Sequence, residues 1–388
     1  MSKLPKIIRA EEPGYQQCTR TLMDTTDPDI RFNADGSSHW VNFVEEIQSN
    51  VWNPVGDPET LSKVVSQIRA DGRGKKYDCI LGLSGGLDSS YLAAIAYEAG
   101  LRTLIFHTDT GWNTEIALNN IESIANRYNF PLYTHVIDWR EMADVQRAFL
   151  RAGVPNQDIP QDHAIFAAFY TYAAKQGIKW VLNGSNYATE SILPKAWGYR
   201  AGDAYHLKQI HKRFGERPIS RFPLMGIFRY RAEFTILRGM KIAKLLNLLP
   251  YNRRSAMDRL ARETGWQYYG GKHFESRWTR FFQAYWLPKF FGYDKKIAHL
   301  SSLILSGQIT KNEALQERKI TNYDQNIIEE DIEFISKKLN LKNQEVQLLT
   351  NPKIKSHFEF PNSQSIIKLL SKPRIFLKEI FRNNLKFE

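Results

Sequence analysis

Hydrophobic and polar positions follow two different periods along the middle of the chain. Short apolar runs predict strands at residues 80–83, 103–107, 133–137 and 180–182. Helical spacing predicts helices between them, at residues 89–99 and 113–128 and over 139–176 with a break near 153–160. Because strands that alternate with helices form βαβ units, the pattern predicts an α/β fold with a parallel sheet and helices on both faces.

The two ends of the chain differ from this middle part. The first 65 residues are rich in Asp and Asn with weak periodicity, which indicates an N-terminal arm with a small subdomain. After residue 234 the strand signals fade, and helical spacing predicts helices at 237–249, 255–264, 276–290 and 313–319. We therefore predict an arm (1–65), a central α/β domain (66–235), a helical C-terminal domain (236–350) and a basic C-terminal tail (351–388). For the amphipathic part of the tail we expect a docked or solvated helix rather than a membrane anchor.

Composition narrows the class of protein. The 388 residues are 43% hydrophobic and 24% charged, which is typical of a globular protein, and the net charge of +12 favours anionic ligands. That charge does not choose between nucleic acid, a membrane surface and a nucleotide-linked sugar. The two cysteines are too few for a disulfide framework, and no apolar stretch is long enough for a membrane span. With no apolar signal region near the N-terminus, we expect a cytoplasmic protein without membrane insertion.

The most informative motif joins the first predicted strand to the first predicted helix. It reads Ser84-Gly85-Gly86-Leu87-Asp88-Ser89-Ser90. Glycines let the backbone approach a ligand closely, and the free N–H groups of a first helical turn favour negative charge. The serines add hydrogen-bond donors, and Asp88 offers a metal ligand. The motif lacks the spacing and the Gly-Lys-Ser/Thr ending of a Walker A loop, so it predicts a different kind of phosphate site, one for a nucleotide pyrophosphate.

Two further segments follow predicted strands and belong to the same edge of a parallel sheet. The fourth strand is followed by Gly184 and Ser185, with Glu190 a few positions later. Glu190 is either a metal ligand or an ordinary acidic residue at a helix start. The second strand ends in His107-Thr108-Asp109, and Trp112 after it either flanks a base or packs in the core.

Two basic segments complete the candidate chemistry. The first spans residues 195–213, where Lys208 is the preferred candidate to neutralise phosphate charge, against the alternative of a solvated helix face. The second is a Gly-Gly segment at 269–277, in which Lys272 and Glu275 are candidate catalytic residues that bind the substrate or the leaving phosphate. A lone histidine such as His273 is more often structural.

The 84–89 loop resembles the Ser-Gly-Gly-x-Asp-Ser pyrophosphate loop of the N-type (PP-loop) ATP pyrophosphatases. The resemblance implies an adenine nucleotide alpha hydrolase-like domain that cleaves ATP between its α and β phosphates and adenylylates a carbonyl oxygen. It implies that the strand end at 107–109 pairs with adenine, that Gly184 and Ser185 contribute to the ATP site, and that Asp88 and Glu190 hold Mg²⁺.

From residue 18 to residue 315 the chain resembles the N-acetyl sugar amidotransferases of bacterial surface-polysaccharide (LPS O-antigen) pathways. The segments that carry this resemblance are 23–30, 84–90, 162–164, 184–197 and 270–307. It implies an ATP-dependent ligase that converts an acetamido group of a nucleotide-linked N-acetyl sugar into an acetamidino group with ammonia. It also implies that ammonia comes from a separate glutaminase and a cyclase-like barrel subunit, since neither cysteine of this chain is placed like a glutaminase nucleophile.

One departure from that family concerns the arm, where two Cys-x-x-Cys pairs are usual. Here Cys18 is present, but Thr21, Ser38 and Val41 stand at the other positions, so we predict no zinc. Two other functions stay open at this point. A PP-loop RNA-modifying enzyme (a tRNA thiolase or lysidine-type ligase) fits the charge, although no RNA-binding module is recognisable and we expect no nucleic-acid partner. A non-catalytic nucleotide-binding subunit is the other alternative.

Overall fold

A computed structural model describes residues 4–320 and 323–364, and a parallel sheet of five strands runs through it. The strands are β1 (Cys79–Gly82), β2 (Thr103–Asp109), β3 (Leu132–Val136), β4 (Trp180–Leu182) and β5 (Lys241–Ala243). Their order across the sheet is β3-β2-β1-β4-β5. The prediction of an α/β fold with a parallel sheet is confirmed. The predicted amphipathic tail helix lies outside the described residues.

Helices cover both faces of this sheet and form most of the C-terminal part. They are α1 (His39–Asn50), α2 (Pro58–Asp71), α3 (Leu87–Glu98), α4 (Glu115–Arg127), α5 (Trp139–Ala152), α6 (Ile159–Lys175), α7 (Tyr187–Glu190), α8 (Ala204–Phe214), α9 (Ile227–Arg229), α10 (Arg253–Thr264), α11 (Arg277–Phe281), α12 (Leu287–Phe291), α13 (Lys295–Leu305), α14 (Lys311–Lys319), α15 (Gln325–Lys338) and α16 (Asn343–Thr350). Segments of π-helix lie at Tyr230–Leu237 and Phe282–Trp286, and 3-10 turns lie at Lys195–Trp197, Leu245–Leu248 and His357–Glu359. No helix among the described residues combines the length and the apolar character that crossing a membrane requires.

The apolar sequence of β1 follows from its burial on both faces, as in other parallel sheets. On one face Leu81 belongs to a core that includes Leu92 of α3. On the other face Ile80 belongs to a core that includes Phe169 of α6. With both faces covered, only the strand ends remain open to a ligand, and the loop after β1 lies at such an end.

A third core joins the N-terminal arm to the C-terminal helices. It contains Cys18 and Leu22 of the arm, Phe149 of α5, Trp286 of a π-helical segment and Ile335 of α15. Packing therefore holds the arm in place, although residues 4–38 form no helix or long strand. The positions of the predicted degenerate zinc site come together here. The main-chain N–H of Ser38 donates to the Cys18 sulfur at 3.2 Å, and hydrogen bonds from Ser38 and Thr21 outweigh burial and lower the pKa of Cys18.

The prediction of a helix at 237–249 is wrong. The segment contains β5 instead, in which Ile242 pairs with Val181 of β4, and then a 3-10 turn. A strand of three residues with one buried position is too short to show an alternating pattern. The leucines that follow it are spaced as in a helix. The sheet therefore continues past residue 235, where the sequence predicted a domain boundary, and α2 likewise runs past the boundary predicted at 65.

Asp144 ties α5 to the chain that follows α8. Its carboxylate is buried, lies 2.8 Å from a guanidinium nitrogen of Arg147 and 2.9 Å from Nε2 of His211, and accepts the main-chain N–H groups of Glu216 and Arg217. Burial works against the charged form, but these partners outweigh it and lower the pKa of Asp144. The charge on Asp144 therefore stabilises the fold above the ordinary aspartate pKa, and this stabilisation is lost as the pH falls through the lowered value.

Asp144→Asn is expected to lower the free energy of unfolding at neutral pH by about 3 kcal/mol, because one partner of a buried ion pair is removed. The variant should also lose less stability than the wild type between about pH 5 and pH 3. Urea denaturation at a series of pH values measures both effects. The exposed Asp258→Asn serves as the matched control, and an equal response of the two variants would contradict the assignment.

Candidate active site

The segment between β1 and α3 forms a tight loop at the carboxyl end of the sheet. Gly85 has a φ of +78°, a conformation that favours glycine. A Cβ atom at this position would lie 2.3 Å from the main-chain oxygen of Ala117. Gly86 is extended, precedes the first residue of α3, and donates its N–H to Oγ of Ser84 at 3.2 Å. The path of the loop therefore requires glycine at position 85, whereas a Cβ atom at position 86 would be crowded only by side chains, with Oγ of Ser84 at 3.0 Å.

This loop presents main-chain donors to an anion. The N–H groups of Gly85, Asp88 and Ser89 have no hydrogen-bond partner within residues 4–320 and 323–364. They lie at the start of α3, where the helix dipole favours negative charge. The hydroxyls of Ser84 and Ser89 lie 3.3 Å apart. Ser90, also predicted as a ligand, is fully buried, and its hydroxyl has no partner, so its side chain does not face the loop surface.

The turn after β4 lies against this loop, as the parallel pairing of β4 with β1 requires. A Cβ atom at Gly184 would lie 3.3 Å from the main-chain nitrogen of Ser89. Ser185 is exposed in the same turn. Asn186 then caps α7, whose last residue is Glu190. The short helix therefore brings Glu190 to the phosphate loop.

Lys272 connects the two predicted metal ligands. Its Nζ lies 2.8 Å from Oε1 of Glu190 and 3.4 Å from Oδ2 of Asp88. It also donates to Oγ1 of Thr189 at 2.9 Å. The side chains of Asp88, Lys272 and Glu190 are 21%, 25% and 28% exposed. We call the opening formed by the 84–89 loop, Glu190 and Lys272 the loop cleft; it is accessible from solvent and charged at its base.

The charged groups at the base of the loop cleft stabilise each other's ionised forms. Burial disfavours the ammonium form of Lys272, but Asp88 and Glu190 outweigh burial and raise its pKa. Burial also opposes ionisation of Glu190, and the charge of Lys272 outweighs it and lowers the pKa of Glu190. Both groups are therefore ionised at neutral pH.

Asp88 and Glu190 fit a magnesium ion in combination with phosphate. Mg²⁺ usually takes one or two carboxylates, and substrate phosphates and waters complete its octahedron. Both carboxylates lie within 3.4 Å of the same ammonium, so they face a common point that a cation occupies favourably. No group of three or more His, Cys, Asp or Glu side chains in the described part of the chain could hold a metal ion. A metal held here therefore depends on ligands that the nucleotide brings.

Two tyrosines complete the contacts of the loop: Tyr251, which sequence reasoning missed, and Tyr269, the first residue of the Gly-Gly segment. The hydroxyl of Tyr251 donates to Oδ1 of Asp88, and the N–H of Leu87 donates to the hydroxyl oxygen of Tyr269 at 3.2 Å. Burial and the charge of Asp88 raise the pKa of Tyr251 well above its ordinary value, so it remains a donor. An isolated tyrosine such as Tyr251, more than 150 positions after the motif, carries no local signal, and only the fold reveals its contact with Asp88.

The Gly-Gly segment places Glu275 beside the loop. His273 has a φ of +66°, and its Nδ1 lies 3.8 Å from Oε1 of Glu275. The other carboxylate oxygen of Glu275 is buried with no hydrogen-bond partner. A Cβ atom built on Gly86 would lie 3.3 Å from Oε1. A carboxylate at this position suits a hydrogen-bond donor or a cation rather than a phosphate. Of the two roles predicted for Glu275, binding the substrate therefore fits better than binding the leaving phosphate.

The end of β2 lies next to the same loop. The ring of His107 bonds to the carbonyl oxygen of Leu83 at 3.0 Å, so its side chain connects β2 to the end of β1. The hydroxyl of Thr108 is buried with no partner. The carboxylate of Asp109 accepts the N–H of Gly111 at 2.7 Å and fixes the following turn. These contacts give His107 and Asp109 structural roles; the adenine contact stays a prediction.

Trp112, which the sequence left open, is a core residue. It is 1% exposed, and its ring packs against Trp139 and Trp278 at centroid distances of 5.3 Å. A short antiparallel bridge between Asn113 and Ser276 follows it in the chain. This bridge attaches the Gly-Gly segment to the turn after β2, which positions Lys272 and its neighbours over the phosphate loop.

Lys208 is not brought to the loop cleft. It is exposed on α8 and forms no hydrogen bond or ion pair with any residue that the structure describes. The same helix buries Leu207 and Ile210 in the core. Lys208, Lys212 and Arg213 therefore lie on the solvated face of an amphipathic helix, whereas Lys272, the other lysine predicted to bind phosphate, lies at the loop.

Asp162 of α6, part of the family-like pattern, lines a different opening together with Arg200, Met225 and Tyr230. Burial and the charge of Asp158 raise the pKa of Asp162 to about 7, while Lys295 and His273 oppose that rise. These electrostatic neighbours come from the Gly-Gly segment and from α13. His273 and Lys295, both far from Asp162 in sequence, therefore lie close enough to act on its charge.

Gly85→Ala is expected to abolish detectable ATP binding and to lower the free energy of unfolding by about 2 kcal/mol, because a Cβ atom meets main-chain atoms of α4 and strains a positive φ. Gly74→Ala is the matched control, since Gly74 also has a positive φ but nothing lies within 4 Å of its Cβ position. Calorimetric ATP titration and thermal denaturation measure both effects. Equal ATP affinity in the two variants would show that the loop does not hold ATP.

Comparison with known proteins agrees with this geometry. The family described as "LPS biosynthesis protein WbpG-like, C-terminal domain" matches residues 275–374. A curated relative is the GMP synthase [glutamine-hydrolyzing] of Azoarcus sp. (strain BH72), 28% identical over 193 residues, which cover 47% of this chain and 34% of the relative. The chain thus spans about a third of the length of that relative. With the loop and the parallel sheet, these matches fit a PP-loop ATP pyrophosphatase, and the C-terminal match relates this chain to proteins of LPS biosynthesis.

Two solved structures share weaker similarity with this chain. The NMN synthetase from Francisella tularensis is 16% identical, and the similarity covers 54% of this chain and 93% of that chain with a TM-score of 0.29. The NH3-dependent NAD synthetase from Campylobacter jejuni subsp. jejuni, solved with a nitrate ion, is 15% identical, covering 69% of this chain and 98% of that chain with a TM-score of 0.29.

Proposed function

We propose that this chain is an ATP-dependent amidotransferase, a C–N ligase that makes an acetamidino sugar from a nucleotide-linked N-acetyl sugar, ATP and ammonia. The observation that carries the proposal is the phosphate loop with its free N–H groups and the Asp88–Lys272–Glu190 cluster beside it. The match to an LPS biosynthesis family supports a surface-glycan substrate. The match to GMP synthase supports ligase chemistry.

The reaction needs two steps because an amide is a poor electrophile and its oxygen a poor leaving group. In the first step the acetamido oxygen attacks the α-phosphorus of ATP, the bond to the β-phosphate breaks, and pyrophosphate leaves. In the second step the nitrogen of ammonia attacks the activated carbon, the carbon–oxygen bond breaks, and AMP leaves with that oxygen. The proton lost by ammonia passes to solvent or phosphate. The protein must align ammonia and exclude water.

The residues of the loop cleft have distinct roles in this scheme. The N–H groups of Gly85, Asp88 and Ser89 bind the β- and γ-phosphates. The ammonium of Lys272 neutralises the charge that develops on the leaving pyrophosphate. Glu275, an anion beside the loop, orients a donor group of the substrate or of His273. Asp88 and Glu190 would hold Mg²⁺, which supplies charge neutralisation on the phosphates when bound.

The supply of ammonia is assigned to a partner. The two cysteines are both buried, and burial raises the pKa of Cys79 to about 12, so it is not a thiolate at neutral pH. The pKa of Cys18 is lowered instead, but its sulfur accepts the main-chain N–H of Ser38 and is fully buried, so a substrate does not reach it. We therefore keep the proposal that a separate glutaminase, together with a cyclase-like barrel subunit, delivers ammonia to this chain.

Incubation of the purified chain with ATP, magnesium, ammonium salt and a panel of nucleotide-linked N-acetyl sugars tests the proposal. We expect AMP and pyrophosphate to form only with a particular sugar, whose mass changes as expected for replacement of oxygen by NH. Dependence on tRNA instead of sugar would establish the RNA-modifying alternative. ATP binding without turnover at saturating ammonium would favour a non-catalytic subunit.

A further inference from the structure

A second cavity, of about 520 Å³, lies between α5, the chain after α8 and the end of α15. We call it the basic cavity. Two carboxylates and six cationic side chains line it, the latter being Arg140, Arg147, Arg151, Arg217, Lys338 and Lys342. Trp139 contributes a half-buried indole to its wall. The cavity is large enough for a nucleotide-sized ligand.

Part of this charge is structural. Arg151 lies 2.8 Å from Glu216 and 2.6 Å from Glu345, which are the two carboxylates of the lining. Arg147 donates to Asp144 at 2.8 Å and to the main-chain oxygen of Leu339, just after α15, at 2.9 Å. These pairs neutralise both carboxylates and fix the walls of the basic cavity.

The remaining charge is not neutralised. The side chains of Arg140 and Arg217 form no hydrogen bond or ion pair with any part of residues 4–320 and 323–364. The ammonium of Lys338 lies 4.9 Å from the centre of the Trp139 ring and forms no ion pair within 4 Å in those ranges, although the charge of Asp109 acts on it from farther away. Asp144 holds the main chain at Arg217 through its N–H. The basic cavity thus has three unpaired cations on a rigid frame.

The basic cavity also lies beside the nucleotide edge of the sheet. A Cβ atom at Gly111, in the turn after β2, would lie 2.6 Å from the ring of Trp139. Lys338 also approaches Trp112 of the same turn, at 5.7 Å from its ring centre. The cavity is therefore a neighbour of the β2 end, but it shares no lining residue with the loop cleft.

We propose that the basic cavity binds the diphosphate group of a nucleoside diphosphate, either free or linked to a sugar, while ATP occupies the loop. Guanidinium groups recognise phosphate oxygens in a bidentate manner, and three unpaired cations match the charge of a diphosphate. Inorganic pyrophosphate alone leaves most of 520 Å³ empty, whereas the cavity has room for a nucleoside and offers the indole of Trp139 for stacking. The assignment of the basic cavity to the carrier nucleotide of the sugar rests on the proposed function. The assignment of the cavity to nucleoside diphosphates in general does not.

Calorimetric titration of the full chain with UDP, GDP and inorganic pyrophosphate, with the loop saturated by a non-hydrolysable ATP analogue, tests the proposal. We expect at least one nucleoside diphosphate to bind more tightly than pyrophosphate. Arg140→Ala and Arg217→Ala should each weaken that binding about tenfold. Arg73→Ala, at an exposed arginine before β1, should bind like the wild type. The same titration with the N-acetyl sugar conjugate shows whether the carrier group or the free nucleotide is the preferred ligand.

Two results would overturn the proposal. Nucleoside diphosphate binding that vanishes with the ATP analogue present, or that is unchanged in Arg140→Ala and Arg217→Ala, would place the ligand in the loop. If pyrophosphate binds as tightly as the nucleotides, the cavity does not recognise the nucleoside part of the ligand. Since titration needs no turnover, nucleotide binding that persists without amidotransferase activity would refute the proposed function alone.

Discussion

Asp88→Ala is expected to reduce sugar-dependent AMP formation by about a hundredfold or more, with the chain still folded. Asp88 lies at the first turn of α3, where it meets Lys272 and the hydroxyl of Tyr251. Without its carboxylate, Glu190 faces Lys272 alone and the magnesium of the nucleotide loses a ligand. Release of AMP and pyrophosphate with saturating ammonium measures the effect, and circular dichroism confirms folding.

Tyr251→Phe is the matched control for this variant. It removes the donor to Asp88 and leaves the carboxylate, so we expect activity to fall about tenfold or less. A fall as large as that of Asp88→Ala would assign the main role to the tyrosine. Wild-type activity of Asp88→Ala with free ammonia would contradict the site itself.

Lys272→Met is expected to lower kcat about a hundredfold, because the charge on the leaving pyrophosphate loses its ammonium partner. Lys272→Arg keeps the charge and should recover part of the rate, although a guanidinium does not reproduce the geometry of an ammonium. Steady-state kinetics with the sugar substrate separates kcat from KM. An unchanged kcat in Lys272→Met would exclude a role for this lysine in adenylyl transfer.

Lys272→Met should also change magnesium binding, an effect that is not expected if Lys272 has only a structural role. Without ATP, Lys272 occupies the point that Asp88 and Glu190 face, so it competes with a divalent cation. We therefore expect Lys272→Met to bind Mg²⁺ more tightly than the wild type in the absence of nucleotide, while its turnover is lower. Calorimetric titration with Mg²⁺ measures this, and weaker magnesium binding would contradict the shared position.

The phosphate loop and the strands around it were predictable because their signals are local. The positive φ of Gly85 and its approach to Ala117 require glycine at that position, and the apolar run of β1 reflects burial on both faces. The parallel pairing of β1 with β4 then brings Gly184 to the loop without further information. Glu190 followed from the same reasoning, and the structure places it 2.8 Å from Lys272.

The rest depends on contacts that sequence patterns do not encode. Tyr251 and Tyr269 reach the loop from more than 150 positions away, and β5 is defined by its pairing with β4 rather than by its own residues. Both Lys208 and Lys272 were predicted to meet phosphate, because charge alone does not reveal which lysine a fold turns toward a site. The free cations of the basic cavity, such as Arg217, likewise come together only in three dimensions.

The central claim is that ATP activates the acetamido oxygen as an adenylate, and the fate of that oxygen tests it most directly. The nucleotide-linked sugar that supports turnover is prepared with heavy oxygen in its acetamido carbonyl and incubated with the chain, ATP, magnesium and ammonium. Mass spectrometry of the products then locates the label. The account predicts one heavy oxygen in the phosphate of AMP and none in pyrophosphate. Heavy oxygen in pyrophosphate, in water or retained in the sugar product would contradict it.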